Sequence, residues 1–517
     1  MTERYPEFFN DVFGPVMQPG SSSHFAGPCR IGFIAASLLG AEPARVQFAI
    51  DPEGTYAGVF GHMNEDLGLL GGVLGLRTDD PRLFEARELA AKRSLAWDFV
   101  QERISESAHP NAIKIRLWDR AGRRAELVGD STGGGMVEIR SIDGFPVSFF
   151  GDSYVVLDFA GGASAGEDCD DPLESGLVER GGSRLAWRRL ASRPKRLPPG
   201  CALLEPVLPV PDHPRRRPQL FDTMVAWREL AEREGVGLFE IALRYEEAAS
   251  AWPRERVLDA MRDIKRILER QVSAIYEEEL AVPDEPDRLR DDLLWLPYER
   301  RGPTLGGSVM AAALKRALGV IVKAPGVPIV PGPMGTGGGY LFSALSAVRD
   351  ARGSSEEEVL RALFVAAGVG AIGYTRGEPT GEVIGCAGEC GLCSAMTSAA
   401  IVELVGGSPA QVESAASFAM QAAIGMPCDP IPGGKEQPCL SRIVAAIGNA
   451  INFADLALAG ADAVLPFHEA FEAADAAGRA LPPDLRCNGK GGCCATPTGR
   501  RLSADFAARR GLERAGS

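Results

Sequence analysis

Hydrophobic and polar positions along this chain follow two different periods. Up to about residue 160, short alternating runs dominate. Val46-Gln-Phe-Ala-Ile-Asp, Ala112-Ile-Lys-Ile-Arg-Leu-Trp and Met136-Val-Glu-Ile-Arg-Ser-Ile place apolar side chains at about every second position, as half-buried strands do. Three helices are predicted between them. One runs from about 28 to 39, entered through serines and a proline just inside its start. A Leu/Gly-rich helix follows residues 54–66 and ends near Gly75, and a charged helix covers 81 to about 106. Ser131-Thr-Gly-Gly-Gly reads as a turn. From Gln219 the period lengthens: Val257, Met261, Ile264 and Leu268 share one helical face, and strand signals become scarce. Residues 363–374 are apolar but short and broken by glycine, which predicts a buried helix. Residues 161–218, from Gly161-Gly-Ala-Ser-Ala-Gly through a run of prolines and arginines, lack a period and read as a linker. The pattern predicts an α+β chain, with an α/β domain over 1–160, a Pro/Arg/Gly-rich linker over 161–218 and an all-α domain over 219–517.

Composition narrows the function. The chain has 517 residues, 45% hydrophobic and 24% charged, as in ordinary globular proteins. Its formal net charge of −14 argues against nucleic acid as a main partner; the one basic stretch, 180–217, reads as a solvated linker. The N-terminus lacks a basic region followed by an apolar core, and no run reaches the ~18–20 apolar residues of a membrane span. A cytosolic chain with no membrane partner is expected.

Five of the eleven cysteines crowd into residues 385–442. In a reducing compartment, clustered cysteines read first as metal or cluster ligands. Two triples compete. Cys386, Cys390 and Cys393 form C-x3-C-x2-C, the spacing of radical-SAM enzymes, although it lies too far along the chain for a barrel to follow. Cys386, Cys428 and Cys439 each sit among glycines or prolines, the backbone an iron–sulfur cluster needs for thiolates to converge and amides to approach sulfur. A closed zinc site from Cys386, Cys390, Cys393 and either Cys428 or Cys439 is a third arrangement.

Gly-Cys-x-Gly-Glu-x-Gly followed by Ser-x-Met, then Cys-Asp-Pro, then Pro-Cys, resembles the catalytic α domain of iron–sulfur-dependent L-serine dehydratases (L-serine ammonia-lyases). Ser21-Ser-Ser-His24 with Gly27-Pro28, Gly61-His62 with Asp66, His109-Pro-Asn and the Ser131-Thr-Gly-Gly-Gly segment are similar to motifs of the family's β domain. The resemblance implies a single-chain β-then-α type, with an α/β module related to an allosteric substrate-binding domain. It implies that Cys386, Cys428 and Cys439 hold a [4Fe–4S] cluster with one iron open, and that Cys390 and Cys393 stand at ordinary positions. Deamination of L-serine to pyruvate and ammonia is the implied activity, within amino-acid degradation, and a homodimer is the implied assembly.

Residues for the chemistry are then expected as follows. An exposed iron acts as Lewis acid, and a histidine of near-neutral pKa removes the α-proton. His62 is the expected base. His24, Ser21, Ser22 and Ser23 are expected to position the substrate, while His109 divides between a site and a strand cap. Thr336, Gly337 and Gly338 open a helix whose amides suit a carboxylate, but the 332–343 segment departs from the family's pattern. That departure keeps open a related lyase acting on another small amino or hydroxy acid, such as a cysteine desulfidase. A non-enzymatic iron–sulfur or zinc protein is the third possibility. The cysteine-rich 487–499 segment reads as a flexible tail, with a thiol visiting the cluster as the alternative.

Overall fold

A computed structural model describes residues 5–160, 172–283 and 288–509. The expected Gly161-Gly-Ala-Ser-Ala-Gly loop lies outside the described residues. The chain divides into two compact units, Ser22–Arg216 and Met1–Ser21 with Arg217–Ser517.

The first unit carries helices α1 (Gly27–Leu39), α2 (Tyr56–Val59), α3 (Glu65–Val73) and α4 (Ala86–Lys92) and two sheets. The six-stranded sheet has the order β2-β1-β3-β4-β5-β6, from β1 (Pro43–Ile50), β2 (Ala96–Gln101), β3 (Ala112–Asp119), β4 (Arg124–Gly133), β5 (Met136–Ile142) and β6 (Phe145–Phe149). Only β1 and β2 pair in parallel. Val46 and Phe48 of β1 and Ile113, Ile115 and Leu117 of β3 are fully buried, in one core with Ile31, Leu38, Leu69 and Val73 of α1 and α3. The two helices meet at glycines: a Cβ on Gly72 would lie 2.0 Å from the Cys29 carbonyl oxygen, and one on Gly32 2.6 Å from that of Leu69.

Three expectations for this unit are corrected. The charged helix expected over 81–106 stops at Lys92. Ser94 takes a left-handed φ of 55° and β2 follows, because Ala96-Trp-Asp-Phe-Val alternates; Phe99 stacks on Phe48 at 4.9 Å. Ser131 and Thr132 belong to β4, and the turn is confined to the glycines before Met136. The 161–218 segment is no structureless linker. β8 (Glu174–Arg180) and β9 (Ser183–Leu190) form a hairpin that joins β7 (Tyr154–Asp158) and β10 (Cys201–Leu204) in a four-stranded antiparallel sheet of order β10-β7-β9-β8. Its turn is Gly181-Gly182, both at positive φ, the geometry two-residue hairpins favour. The arginines obscured this pattern. Arg189, buried, sits between Asp152, Asp212 and Glu174 as a structural ion cluster.

The second unit is built from α5 (Met224–Glu234), α6 (Leu238–Ser250), α7 (Arg254–Glu277), α8 (Asp291–Glu299), α9 (Gly307–Ile321), α10 (Gly337–Arg352), α11 (Glu356–Arg376), α12 (Gly381–Ile384), α13 (Leu392–Leu404), α14 (Pro409–Gln421), α15 (Cys439–Leu458), α16 (Phe467–Arg479) and α17 (Pro497–Arg509). The face predicted on α7 is buried, with Val257, Met261 and Leu268 at 0% exposure. The N-terminal segment belongs here rather than with the sheets: Phe8 stacks on Tyr245 at 5.2 Å, and its amide donates to the Glu246 carboxylate at 2.8 Å. Among the described residues two helices, α11 and α15, are long and apolar enough to cross a membrane by length and composition, against the expectation of no such run. The apolar window of α11 is 78% buried among its neighbours, as a core helix is.

The glycine crossing of α1 and α3 generates a stability prediction. Gly72→Ala forces a methyl group into the Cys29 carbonyl and is expected to cost about 1–3 kcal/mol. Chemical denaturation measures it; an unchanged midpoint would contradict the crossing described.

Candidate functional site

In the helical unit, three stretches bring cysteines together. Gly385, at φ 74°, turns the chain so that Cys386 enters a π-helical turn, Ala387–Gly391, which leads into α13. Cys428 lies in the loop after α14, and Cys439 is the first residue of α15. A helix start is a favourable place for a thiolate, because free amides and the helix dipole face it. The contact with Cys487 and burial hold the Cys428 thiol well above its ordinary value, burial does the same for Cys439, and Cys386 adds a smaller contribution to each. Every described cysteine is a free thiol. The donor set therefore fits a group that takes three thiolates.

The remaining cysteines divide. The Cys390 sulfur stands 3.2 Å from that of Cys386. Its hydrogen bond is the main cause that lowers the Cys386 pKa, with the Arg442 guanidinium adding to it, and the same contact raises that of Cys390. Cys393 faces away, towards the Gly337 carbonyl at 3.3 Å, and burial pushes its thiol up to about 12. C-x3-C-x2-C thus does not present three equivalent donors.

The 487–499 segment is not a free tail. The Cys487 amide donates to the Cys428 carbonyl at 2.6 Å, and the side chains of the two residues are in contact. The Cys493 amide donates to the Asp429 carboxylate at 2.6 Å, and the Cys494 thiol to the Pro430 carbonyl at 2.8 Å. Sequence reading missed this because glycine, asparagine and lysine between the cysteines signal a loop, not what it docks on. Arg442 and Asp429, which form a buried-side ion pair here, and Glu389, raised well above its ordinary value by burial and the nearby Glu382, were also missed.

The glycines opening α10 serve packing. The amide of Gly337 donates to the Met334 carbonyl and that of Gly338 to the Val330 carbonyl, so neither points to a ligand as expected. A Cβ on Gly337 would lie 2.3 Å from the Gly332 oxygen. Thr336 is buried at the N-cap of α10 without a side-chain capping bond.

In the sheet unit, Ser22, Ser23 and His24 form a buried π-helical turn before α1; Ser21 falls in the other unit. Ser23 Oγ and His24 Nδ1 are 2.9 Å apart, and the imidazole meets the Tyr56 ring edge-on at 4.9 Å. The Ser23 carbonyl accepts from Tyr56 OH at 2.9 Å and from Ser131 Oγ at 2.8 Å. Asn111 holds this arrangement by bonding Thr55 and the Ser131 carbonyl, and its own amide donates to His109 Nδ1 at 3.1 Å. His109 therefore orders a backbone turn. His62 sits in the loop between α2 and α3. The Glu65 carboxylate accepts from the Gly61 amide at 2.8 Å and the Met63 amide at 3.3 Å, fixing the backbone on both sides of His62. Glu65 was not singled out from sequence, although it is the group that both the His62 loop and His24 address.

Burial pushes the Glu65 carboxyl up to about 8 from 4.5, with His24 the largest opposing influence. The folded state thus holds a proton that the unfolded chain releases, and this contribution to stability fades as pH rises from 4.5 to 8. Glu65→Gln keeps an acceptor oxygen and has no proton to lose. Its unfolding free energy is expected to fall less steeply than wild type across that window; equal slopes in denaturant titrations at several pH values would contradict the assignment.

Comparison with known proteins supplies a family and relatives for the chain. The family model described as serine dehydratase alpha chain matches residues 233–494. The probable L-serine dehydratase alpha chain of Bacillus subtilis is 35% identical over 206 residues, 40% of this chain and 69% of the relative. The L-serine dehydratase beta chain of Peptoniphilus asaccharolyticus is 34% identical over 147 residues, 28% of this chain and 65% of the relative. The L-serine dehydratase TdcG of Escherichia coli is 34% identical over 137 residues, 26% of this chain and 30% of the relative.

Proposed function

The chain belongs to the serine dehydratase alpha-chain family, whose members are ammonia-lyases, and from that premise we propose that it deaminates L-serine to pyruvate and ammonia with a [4Fe–4S] cluster. The observation that supports the cofactor is the placement of Cys386, Cys428 and Cys439 as free, buried or half-buried thiols at a π-helical turn, a loop and a helix start of one unit, which favours them as its three protein ligands. When bound, the cluster supplies a Lewis acid for the substrate carboxylate and the leaving hydroxyl oxygen.

The protein's own residues supply the rest. His62 takes the α-proton, and Glu65 holds the His62 loop by the backbone amides of Gly61 and Met63. Ser21, Ser22, Ser23 and His24 bind the substrate; His24 is held by Ser23 and Tyr56, which limits its motion. Loss of the hydroxyl group leaves aminoacrylate, which tautomerises to an imine and hydrolyses in water to pyruvate and ammonia. Thr336 retains a substrate role in this reading. Gly337 and Gly338 serve close packing at the start of α10, since their amides are used internally. The sheet unit corresponds to the family's β-type domain, the enzyme works in the cytosol where thiols stay reduced, and two copies pair as a homodimer.

An anaerobic assay of reconstituted protein with L-serine, following pyruvate, tests the reading. Wild type is expected to turn over. Cys428→Ser is expected to lose cluster and activity together, and His62→Ala to keep the cluster and lose roughly 10²–10⁴-fold in kcat. A cluster-loaded His62→Ala of near-full activity would remove His62 as base. A cluster-loaded wild type silent on serine would move the substrate to another small β-substituted amino acid.

A further inference from the structure

One side chain touches all three stretches that carry the expected cluster ligands. Arg442 lies one turn into α15, three residues after Cys439. Its guanidinium donates to the carboxylate of Asp429, the neighbour of Cys428, and its positive charge lies close enough to Cys386 to favour the thiolate there. Asp429 is 3% exposed at its side chain and is itself held by the Cys493 amide at 2.6 Å. A Cβ on Gly492 would lie 2.1 Å from the same carboxylate, so the docked 487–499 segment packs its backbone directly against Asp429. The start of α15 and the Cys428–Asp429 loop are thus tied through this guanidinium, which also faces Cys386; its planar set of donors is one that lysine, a single-point donor, does not reproduce.

The charge around the thiols makes this arginine more than a brace. Glu382, Glu389, Asp429 and Glu436 are all acidic groups near the three sulfurs. Lys323 also faces Cys439 and, like Arg442, is paired with a carboxylate, that of Glu436 at 2.8 Å, but its charge bears on Cys439, whereas that of Arg442 bears on Cys386 as well. Arg442 is the cation that acts on Cys386, Cys428 and Cys439 alike. Outer groups of this kind set both the retention and the potential of a metal centre.

We propose that Arg442 is the positioning residue of the iron–sulfur centre, clamping the Cys386, Cys428 and Cys439 segments into one ligand set and balancing the negative charge of the loaded site. The inference rests on the cluster reading above. It predicts two separable properties of one residue: the fork governs how long the cluster is held, and the charge governs its reduction potential.

The test uses full-length protein reconstituted without oxygen, as wild type, Arg442→Lys and Arg442→Met. Iron and sulfide per chain are measured, then iron loss to a chelator, then the midpoint potential of the cluster. Arg442→Met is expected to lose iron ~10–100-fold faster than wild type and to show a more negative midpoint, because a positive charge beside the cluster has gone. Arg442→Lys is expected to keep the midpoint while still losing iron faster. If Arg442→Met does not fold, as judged by circular dichroism of the metal-free protein, the Arg442→Lys release rate carries the test. Wild-type release rates in every folded variant would overturn the proposal. A wild type that takes up no cluster would overturn the cluster reading and this inference with it, whereas a loaded wild type with indifferent variants would overturn this inference alone.

Discussion

Gathering thiolates inside a protein sets like charges against each other in a medium that screens them poorly, and the helical unit is arranged around that cost. Each cysteine lies where the backbone leaves its regular course: after the left-handed Gly385, in the loop following α14, and at the first residue of α15. For Cys386 the Cys390 thiol and the Arg442 guanidinium offset the charge, while burial keeps Cys428 and Cys439 on the protonated side. The surrounding carboxylates point the other way, and Glu389 answers by favouring its protonated form. Burial keeps water out, which strengthens every one of these interactions. It also makes the arrangement depend on a few close contacts, such as the docking of Cys487 and Cys493 on the Cys428–Asp429 loop.

The sheet unit answers a different constraint. Its histidines must be held by backbone that has no regular hydrogen-bonding ladder of its own, because turns and loops carry them. Buried polar side chains substitute for that ladder: Glu65 for the His62 loop, Asn111 and Ser131 for the turn that carries His24. These groups are expensive to bury and are therefore bonded to several partners each. The α1–α3 crossing at Gly32 and Gly72 brings both loops onto the ends of the same helix pair.

Much of this was legible in the sequence. Alternation marked β1, β3 and β5, and the spacing of Val257, Met261, Ile264 and Leu268 marked α7. The candidate cysteines stood out by their glycine and proline surroundings. Where sequence reading failed, the reasons are physical. Charge masked alternation in β9, where Arg189 is buried with its guanidinium among three acids, and in β2, where the charged residues of the preceding helix ran on into Asp98. Glycine before α10 was read as a ligand cradle when it serves close packing, and composition cannot distinguish the two uses. Glu65, Asn111 and Arg442 look like ordinary surface residues in sequence; their partners lie in other segments, so only the folded chain assigns them a role.

The central claim is the identity of the ligand set, and the most direct measurement of it is the crystal structure of anaerobically reconstituted protein with anomalous scattering at the iron edge. The account predicts one compact group of iron peaks bounded by the sulfurs of Cys386, Cys428 and Cys439, with one iron lacking a protein thiolate. Iron held instead by Cys386, Cys390 and Cys393, or a single closed zinc peak with four thiolates, would contradict it.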